Sequence, residues 1–282
     1  MPSRLTTTFD ALRKAQRPGL VTYTTAGDPD IARSADILRA LDRAGADVLE
    51  VGVPFSDPMA DGPVIQRATE RAIAAGSNLR VTLDIIREVR AQVKAAIVIF
   101  SYANPLLRMG ISDFARQAAA VGVDGVLALD LPIEEAAEFQ RTMDAAGLDT
   151  IFLLSPTTTD ERIQKAARLG RGFLYGISRL GVTGARDQVA TGAEAMVRKI
   201  RAFTSMPIAL GFGISRPEHV AEVGGFADAA VVGSALVSLI ANESGSPQLV
   251  ERVEAYVRSL RAACRPRDEV VSGFSRTKGE SA

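Results

Sequence analysis

ADVLEVGVPFSDPMADGPVIQRA, Ala46 to Ala68, decides how the chain is read. Its first part, Val48–Val53, is apolar on both faces of an extended strand, apart from one carboxylate at Glu50. A strand with one wet face alternates polar and apolar residues. A strand apolar on both faces is buried on both, as in a parallel sheet covered by helices. A Pro- and Gly-rich loop follows, so the stretch is a strand leading into a connection. Seven further runs have the same character: 19–27, 95–102, 123–130, 148–155, 172–178, 206–213 and 226–233. Between them lie segments with helical spacing, such as 30–45, where Ile31, Ala35, Leu38 and Leu41 line one face. About eight β-α units predict a closed (β/α)8 TIM barrel, which needs about 250 residues. An open doubly wound sheet would want fewer units and a Gly-rich turn after the first strand. Here that turn reads TAGDPD. Leu5, Phe9 and Leu12 predict an extra N-terminal helix. No composition shift interrupts the chain before about residue 265, so residues 1–264 are expected to form one barrel domain. Residues 265–282 are polar and aperiodic and are expected to form a flexible tail.

The bulk numbers exclude several function classes. The 282 residues carry 33 basic and 33 acidic side chains, so nothing favours nucleic acid or an anionic membrane surface. One cysteine, Cys264, excludes an internal disulfide and a cysteine-based zinc site; one histidine, His219, excludes a multi-histidine metal site. No carboxylate cluster has metal-ligand spacing, so no metal is expected. The N-terminus has no signal-peptide pattern and no apolar run reaches membrane-spanning length. A soluble, cytoplasmic protein is expected. His219, in RPEHV, reads as a structural residue on a surface helix.

In a barrel, chemistry sits at the C-terminal ends of the strands. Strand alternation puts Val48, Glu50 and Gly52 on one face. If that face is the interior, Glu50 is a buried carboxylate with space left above it by Gly52. Burial is costly for an unpaired carboxylate and raises its pKa toward a general-acid range. A structural ion pair is the plainer reading, but no Arg or Lys stands at the inner end of a strand. Asp61 is either a turn residue or helix cap, or a second carboxylate facing Glu50 across a ligand. Asp57 reads as loop structure or a partner contact. Asp130, in LALDLP, reads at least as well as a turn aspartate as a site residue. Tyr175 ends the sixth strand, and Tyr102 and Asn104 follow the third. None of Lys14, Lys94, Lys165, Lys199 and Lys278 ends a strand, which argues against an imine-forming aldolase.

Three Gly-bearing turns, GVTG (181–184), GFGIS (211–215) and VVGSA (231–235), follow the sixth, seventh and eighth runs. One such turn is ordinary. Three neighbours at one rim, with helix N-termini pointing inward, make a phosphate seat that needs no cation. The residues alone point to proton transfer by carboxylates on a phosphorylated substrate.

LEVGVPFSDPMADGPVIQRA, SYANP, IFLLSPTTTDERI, SRLGVTGAR and GFGIS together closely resemble the tryptophan synthase alpha subunit, in register from about Phe9 to Tyr256. The resemblance implies retro-aldol cleavage of indole-3-glycerol phosphate to indole and glyceraldehyde 3-phosphate. It implies Glu50 as the general acid/base and Asp61 as the carboxylate that accepts the indole N–H. It further implies that Tyr175 lines the site and that Thr183 closes over the substrate and orients Asp61. Gly184, Gly213 and Ser234 would hold the phosphate, with Gly233 allowing the approach. Tyr23, Phe100, Leu127 and Phe212 would wall the indole. Phe100 and Leu129 stand where other members often carry different apolar residues. The long segment 178–192 reads as a lid. The implied partner is a beta subunit in an alpha2beta2 heterotetramer, met by the loops holding Asp57 and Asn104. Its pyridoxal phosphate is expected in that partner, with no cofactor in this chain. Two other readings are a phosphate-binding barrel isomerase and a non-catalytic allosteric subunit of the same fold.

Overall fold

The computed structural model describes residues 2–177, 192–211 and 213–266. Nine strands form one sheet: β1 Gly19–Thr25, β2 Val48–Gly52, β3 Ala96–Ser101, β4 Gly125–Ala128, β5 Asp149–Thr150, β6 Phe152–Leu154, β7 Leu174–Ile177, β8 Ile208–Gly211 and β9 Ala229–Val232. Their order is β5-β4-β3-β2-β1-β9-β8-β7-β6, with every pairing parallel. The two end strands flank a single residue, Ile151, whose N–H donates to the Val126 carbonyl at 2.9 Å. They are therefore one interrupted strand that pairs with β4 through its first half and with β7 through its second. The sheet closes, and the expected eight-strand TIM barrel is the fold.

Two apolar layers explain the runs that are hydrophobic on both faces. Leu20, Leu49, Val51, Ile97 and Ile99 point outward into the cluster shared with the surrounding helices. Val21, Val48, Val98, Leu127 and Ile151 point inward. Glu50 alternates with Leu49 and Val51, so it is an interior residue as predicted. The helix Arg4–Lys14 supplies Leu5, Phe9 and Leu12 to the same inner cluster. Ser3 caps that helix by accepting the Thr6 N–H, and its hydroxyl donates to Asp149 at 2.5 Å. Phe9 meets Phe173 with ring centroids 5.4 Å apart. This helix floors the barrel at the N-terminal ends of the strands and leaves the opposite mouth for chemistry.

Several connections carry two helices. Pro63–Ala74 and Leu79–Val89 follow β2, and Ala103–Met109 and Ile111–Val121 follow β3. The helix Ile111–Val121 ends on Gly122 in the left-handed region, the backbone state that glycine adopts without cost. One expectation needs correcting. His219 is buried, not on a surface, because the short helix Pro217–Gly224 turns His219, Val220 and Val223 inward. Ser215 N–H donates to its Nδ1, so its role is still structural. Among the described residues no helix is long and apolar enough to cross a membrane. From residue 267 the expected polar tail lies outside the described residues.

Candidate active site

Glu50 sits in the middle of β2 between Tyr23 of β1 and Val98 of β3. It is fully buried, and neither carboxylate oxygen has a hydrogen-bond partner among the described residues. Burial alone pushes its pKa from the ordinary 4.5 to about 8. Among the described residues no ion pair supports the structural reading of Glu50. An unpartnered buried carboxyl avoids a heavy desolvation cost only by staying protonated.

Two tyrosines flank it. Tyr23 is raised by burial first, then by the negative charges of Asp61 and, more weakly, Glu50. Tyr175 is raised by burial, then by Glu50 and Tyr23. Each phenol is seated by a strand glycine. A Cβ at Gly52 would lie 2.2 Å from the Tyr23 hydroxyl oxygen, and one at Gly211 would lie 2.5 Å from that of Tyr175. The space that Gly52 was expected to leave above Glu50 is thus taken by the Tyr23 phenol. The Tyr23 ring also meets Phe100 edge-on, with centroids 5.3 Å apart. Leu127 is buried in the inner cluster, with Phe100 and Tyr175 packed against that cluster.

Asp61 is half-buried in the loop after β2. The helix that follows has Gly62 at its N-cap and no side-chain cap bond, which removes the capping reading of Asp61. Its Oδ2 instead accepts the Tyr102 hydroxyl at 3.1 Å, while that hydroxyl accepts the Ala60 N–H at 3.0 Å. Burial raises Asp61 to about 6, and the Tyr102 bond pulls the other way. At neutral pH the two carboxyls stand in opposite states, Glu50 mainly protonated and Asp61 mainly ionised. Environments that split two acids in this way suit one to donate a proton and the other to hold a charge. In the sequence Tyr102 is only a residue that follows the third strand. Its bond spans 41 positions, and a lone phenol gives no pattern that could have announced it.

On the opposite side of the mouth, Gly211 of β8 pairs with Val231 of β9. Gly213 follows with φ of +75°, a left-handed backbone suited to glycine. Ser234 starts the helix Ser234–Asn242, whose first N–H groups have no carbonyl one turn earlier to bond. Gly233 has φ of −117°, and a Cβ there would make ordinary contact with Tyr23 at 3.5 Å. The space at 233 therefore does not by itself exclude a side chain. Thr183, Gly184 and Phe212 lie outside the described residues, as does the expected lid 178–192 apart from Gly192. Among the described residues no group of three or more acidic, His or Cys side chains is placed to hold a metal.

Asp57 and Asn104 are both exposed, Asp57 on the loop after β2 and Asn104 in the first turn of the helix Ala103–Met109 rather than on the loop expected after β3. Phe55 and Tyr102 join those two segments through rings 5.2 Å apart.

The family model described as tryptophan synthase alpha chain matches residues 9–265. The chain belongs to that family. A tryptophan synthase alpha chain of Geobacter sulfurreducens is 49% identical over 261 residues, covering 93% of this chain and 98% of its own length. Another, from Methylococcus capsulatus, is 49% identical over 247 residues, covering 87% and 92%. Among solved structures, tryptophan synthase of Mycobacterium tuberculosis matches with TM-score 0.87 and 37% identity over 94% of this chain and 99% of that one. The alpha subunit from Legionella pneumophila matches with TM-score 0.86 and 35% identity, covering 95% and 100%.

Proposed function

We propose that this tryptophan synthase alpha-family chain performs the retro-aldol cleavage that its membership implies, with Glu50 and Asp61 as the two acting carboxyls. The single observation that carries the residue roles is the contrast between them. Glu50 is fully buried without a partner among the described residues, whereas Asp61 is half-buried and held by Tyr102.

Protonated Glu50 delivers its proton to indole C3 of indole-3-glycerol phosphate. The positive charge that develops on the ring nitrogen is met by the Asp61 carboxylate. Glu50, now a carboxylate, takes the proton from the glycerol hydroxyl beside the scissile bond. The C–C electrons return to the ring, leaving indole and glyceraldehyde 3-phosphate, and Glu50 regains its starting state. The protonated ring is the electron sink, so the cycle balances without a metal or an imine. Differential stabilisation in a dry site is the source of rate here.

Gly213 and Ser234 hold the phosphate with backbone N–H groups, together with Gly184, and Gly233 leaves room. Tyr23, Phe100, Leu127, Tyr175 and Phe212 shape the indole pocket, and Thr183 closes it. A beta subunit docks over Asp57 and Asn104 in an alpha2beta2 assembly. In support, Met59 and Leu107 on the same two segments are large apolar side chains exposed at 91% and 62%. Pyridoxal phosphate belongs to that partner, and this chain needs no cofactor. The proposal includes a cytoplasmic location. An allosteric subunit without catalysis would have no use for an unpaired buried carboxyl that costs stability.

The test is indole release from indole-3-glycerol phosphate, with and without a beta subunit. Wild type should release indole, faster with the partner, and Glu50→Gln should not. Full turnover by Glu50→Gln sinks the assignment.

A further inference from the structure

We propose that Asp130 is a positioning residue for the catalytic Asp61, acting through the start of the helix Ala103–Met109 and Tyr102. The inference rests on the reaction proposed above.

The helix Ala103–Met109 has Tyr102 at its N-cap, a residue whose side chain makes no cap bond. An aromatic side chain at that position cannot satisfy the first helical N–H groups, and something else must. Asp130 does so from the end of the neighbouring strand, its Oδ1 accepting the Ala103 N–H at 2.6 Å. A carboxylate also suits the positive end of a helix. The two strand ends are zipped together immediately before this bond, since Leu129 N–H donates to the Ser101 carbonyl at 2.8 Å. Ser101 Oγ donates to the Tyr102 carbonyl, also at 2.8 Å. The Tyr102 backbone is thus held on both sides, at its carbonyl and at the next N–H. The Tyr102 side chain is aimed at the site, with its hydroxyl bridging Ala60 N–H and Asp61 Oδ2. Capping from a distance frees Tyr102 for this task and fixes where its phenol lands.

Asp130 is exposed and does not wall the indole pocket, so an effect on chemistry must travel through Tyr102. The capped helix carries Asn104 and Leu107, the proposed partner face. A partner that presses on this helix therefore acts on the same cap and, through Tyr102, on Asp61.

The test uses the full chain and four variants: Asp130→Ala, Asp130→Asn, Tyr102→Phe and the double variant Asp130→Ala/Tyr102→Phe. Asp130→Ala should lower kcat for indole release about fivefold with KM little changed, the rate equivalent of a lost cap. Asp130→Asn keeps an acceptor oxygen and should recover most of the rate. The double variant should be no slower than Tyr102→Phe alone. In the free chain, carboxyl NMR should show Asp61 titrating higher in Asp130→Ala than in wild type, because a donor to its ionised form is weakened. An unmoved Asp61 titration, or a rate loss that adds in full to that of Tyr102→Phe, overturns the proposal. The NMR readout needs no turnover. If Glu50→Gln retained full activity, the reaction assignment would fail while the Asp130–Asp61 link was still judged.

Discussion

Glu50→Gln separates the stability cost of this carboxyl from its proposed catalytic use. The shift from 4.5 to about 8 is worth about 5 kcal/mol, at about 1.4 kcal/mol per pKa unit. Its sign follows from proton counting. Below pH 4.5 both folded and unfolded chains hold the proton, and the penalty is absent. Between 4.5 and about 8 the unfolded chain releases it and the folded chain does not, so stability falls as pH rises. Above about 8 both states are ionised and the full penalty stands. Gln cannot ionise, and every other titrating group is common to both proteins. The stability of Glu50→Gln relative to wild type should therefore grow by about 4 kcal/mol from about pH 5 to about pH 9. Urea unfolding of both proteins across that range measures it. The same variant should lose indole release by at least about a hundredfold, the usual worth of a general acid/base. Two stability curves that stay parallel within about 1 kcal/mol would refute the reasoning. They would mean that Glu50 is solvated or paired in the working protein and that burial does not set its proton state.

Tyr102→Phe removes the donor that lowers Asp61. The Asp61 limb of the pH–rate profile should move up from about 6, by about one pH unit for a bond to a charged group. An unmoved limb would show that the bond does not tune Asp61. Gly52→Ala puts a Cβ 2.2 Å from the Tyr23 hydroxyl. It should cost about 1–3 kcal/mol by overpacking, read as a lower melting temperature, with weaker substrate binding; an unchanged melting temperature contradicts it. Arg71 holds Asp28 with two bonds of 2.8 and 2.9 Å, and the Asp28 side chain is 1% exposed. Arg71→Ala strands that carboxylate and should cost about 3 kcal/mol at neutral pH in urea unfolding. The loss should shrink as pH falls toward the ordinary aspartate value of 3.8, because burial already raises Asp28.

The barrel was legible because its strands obey a rule that depends on composition alone. Runs apolar on both faces must be covered on both sides, and eight of them in alternation with helices leave few arrangements. Details that depend on neighbours were not legible. The fifth run is broken at Ile151, where its partner changes from β4 to β7, and nothing local marks the change. The helix Ala103–Met109 is seven residues long with Pro105 in its first turn, too short to display a period. His219 looked like a surface residue because its surroundings in sequence are polar. Its burial is decided by how a helix of eight residues rolls against the barrel.

The same division runs through the site. Glu50 stood out because a carboxylate in an apolar run is an anomaly that any strand would have to justify. Asp61 did not, since an aspartate beside Gly and Pro fits an ordinary turn. What distinguishes it is a phenol 41 positions away, and the register that delivers that phenol is a property of the closed sheet. The proton states were further out of reach. Two carboxyls eleven positions apart in one stretch look chemically equal. Burial raises both, one to about 8 with no partner for its oxygens among the described residues, the other only to about 6, where a tyrosine bond offsets part of the rise. The pattern identifies which groups are expensive to bury. Only the fold determines which of them is partnered, and the proposed division into proton donor and charge holder rests on that.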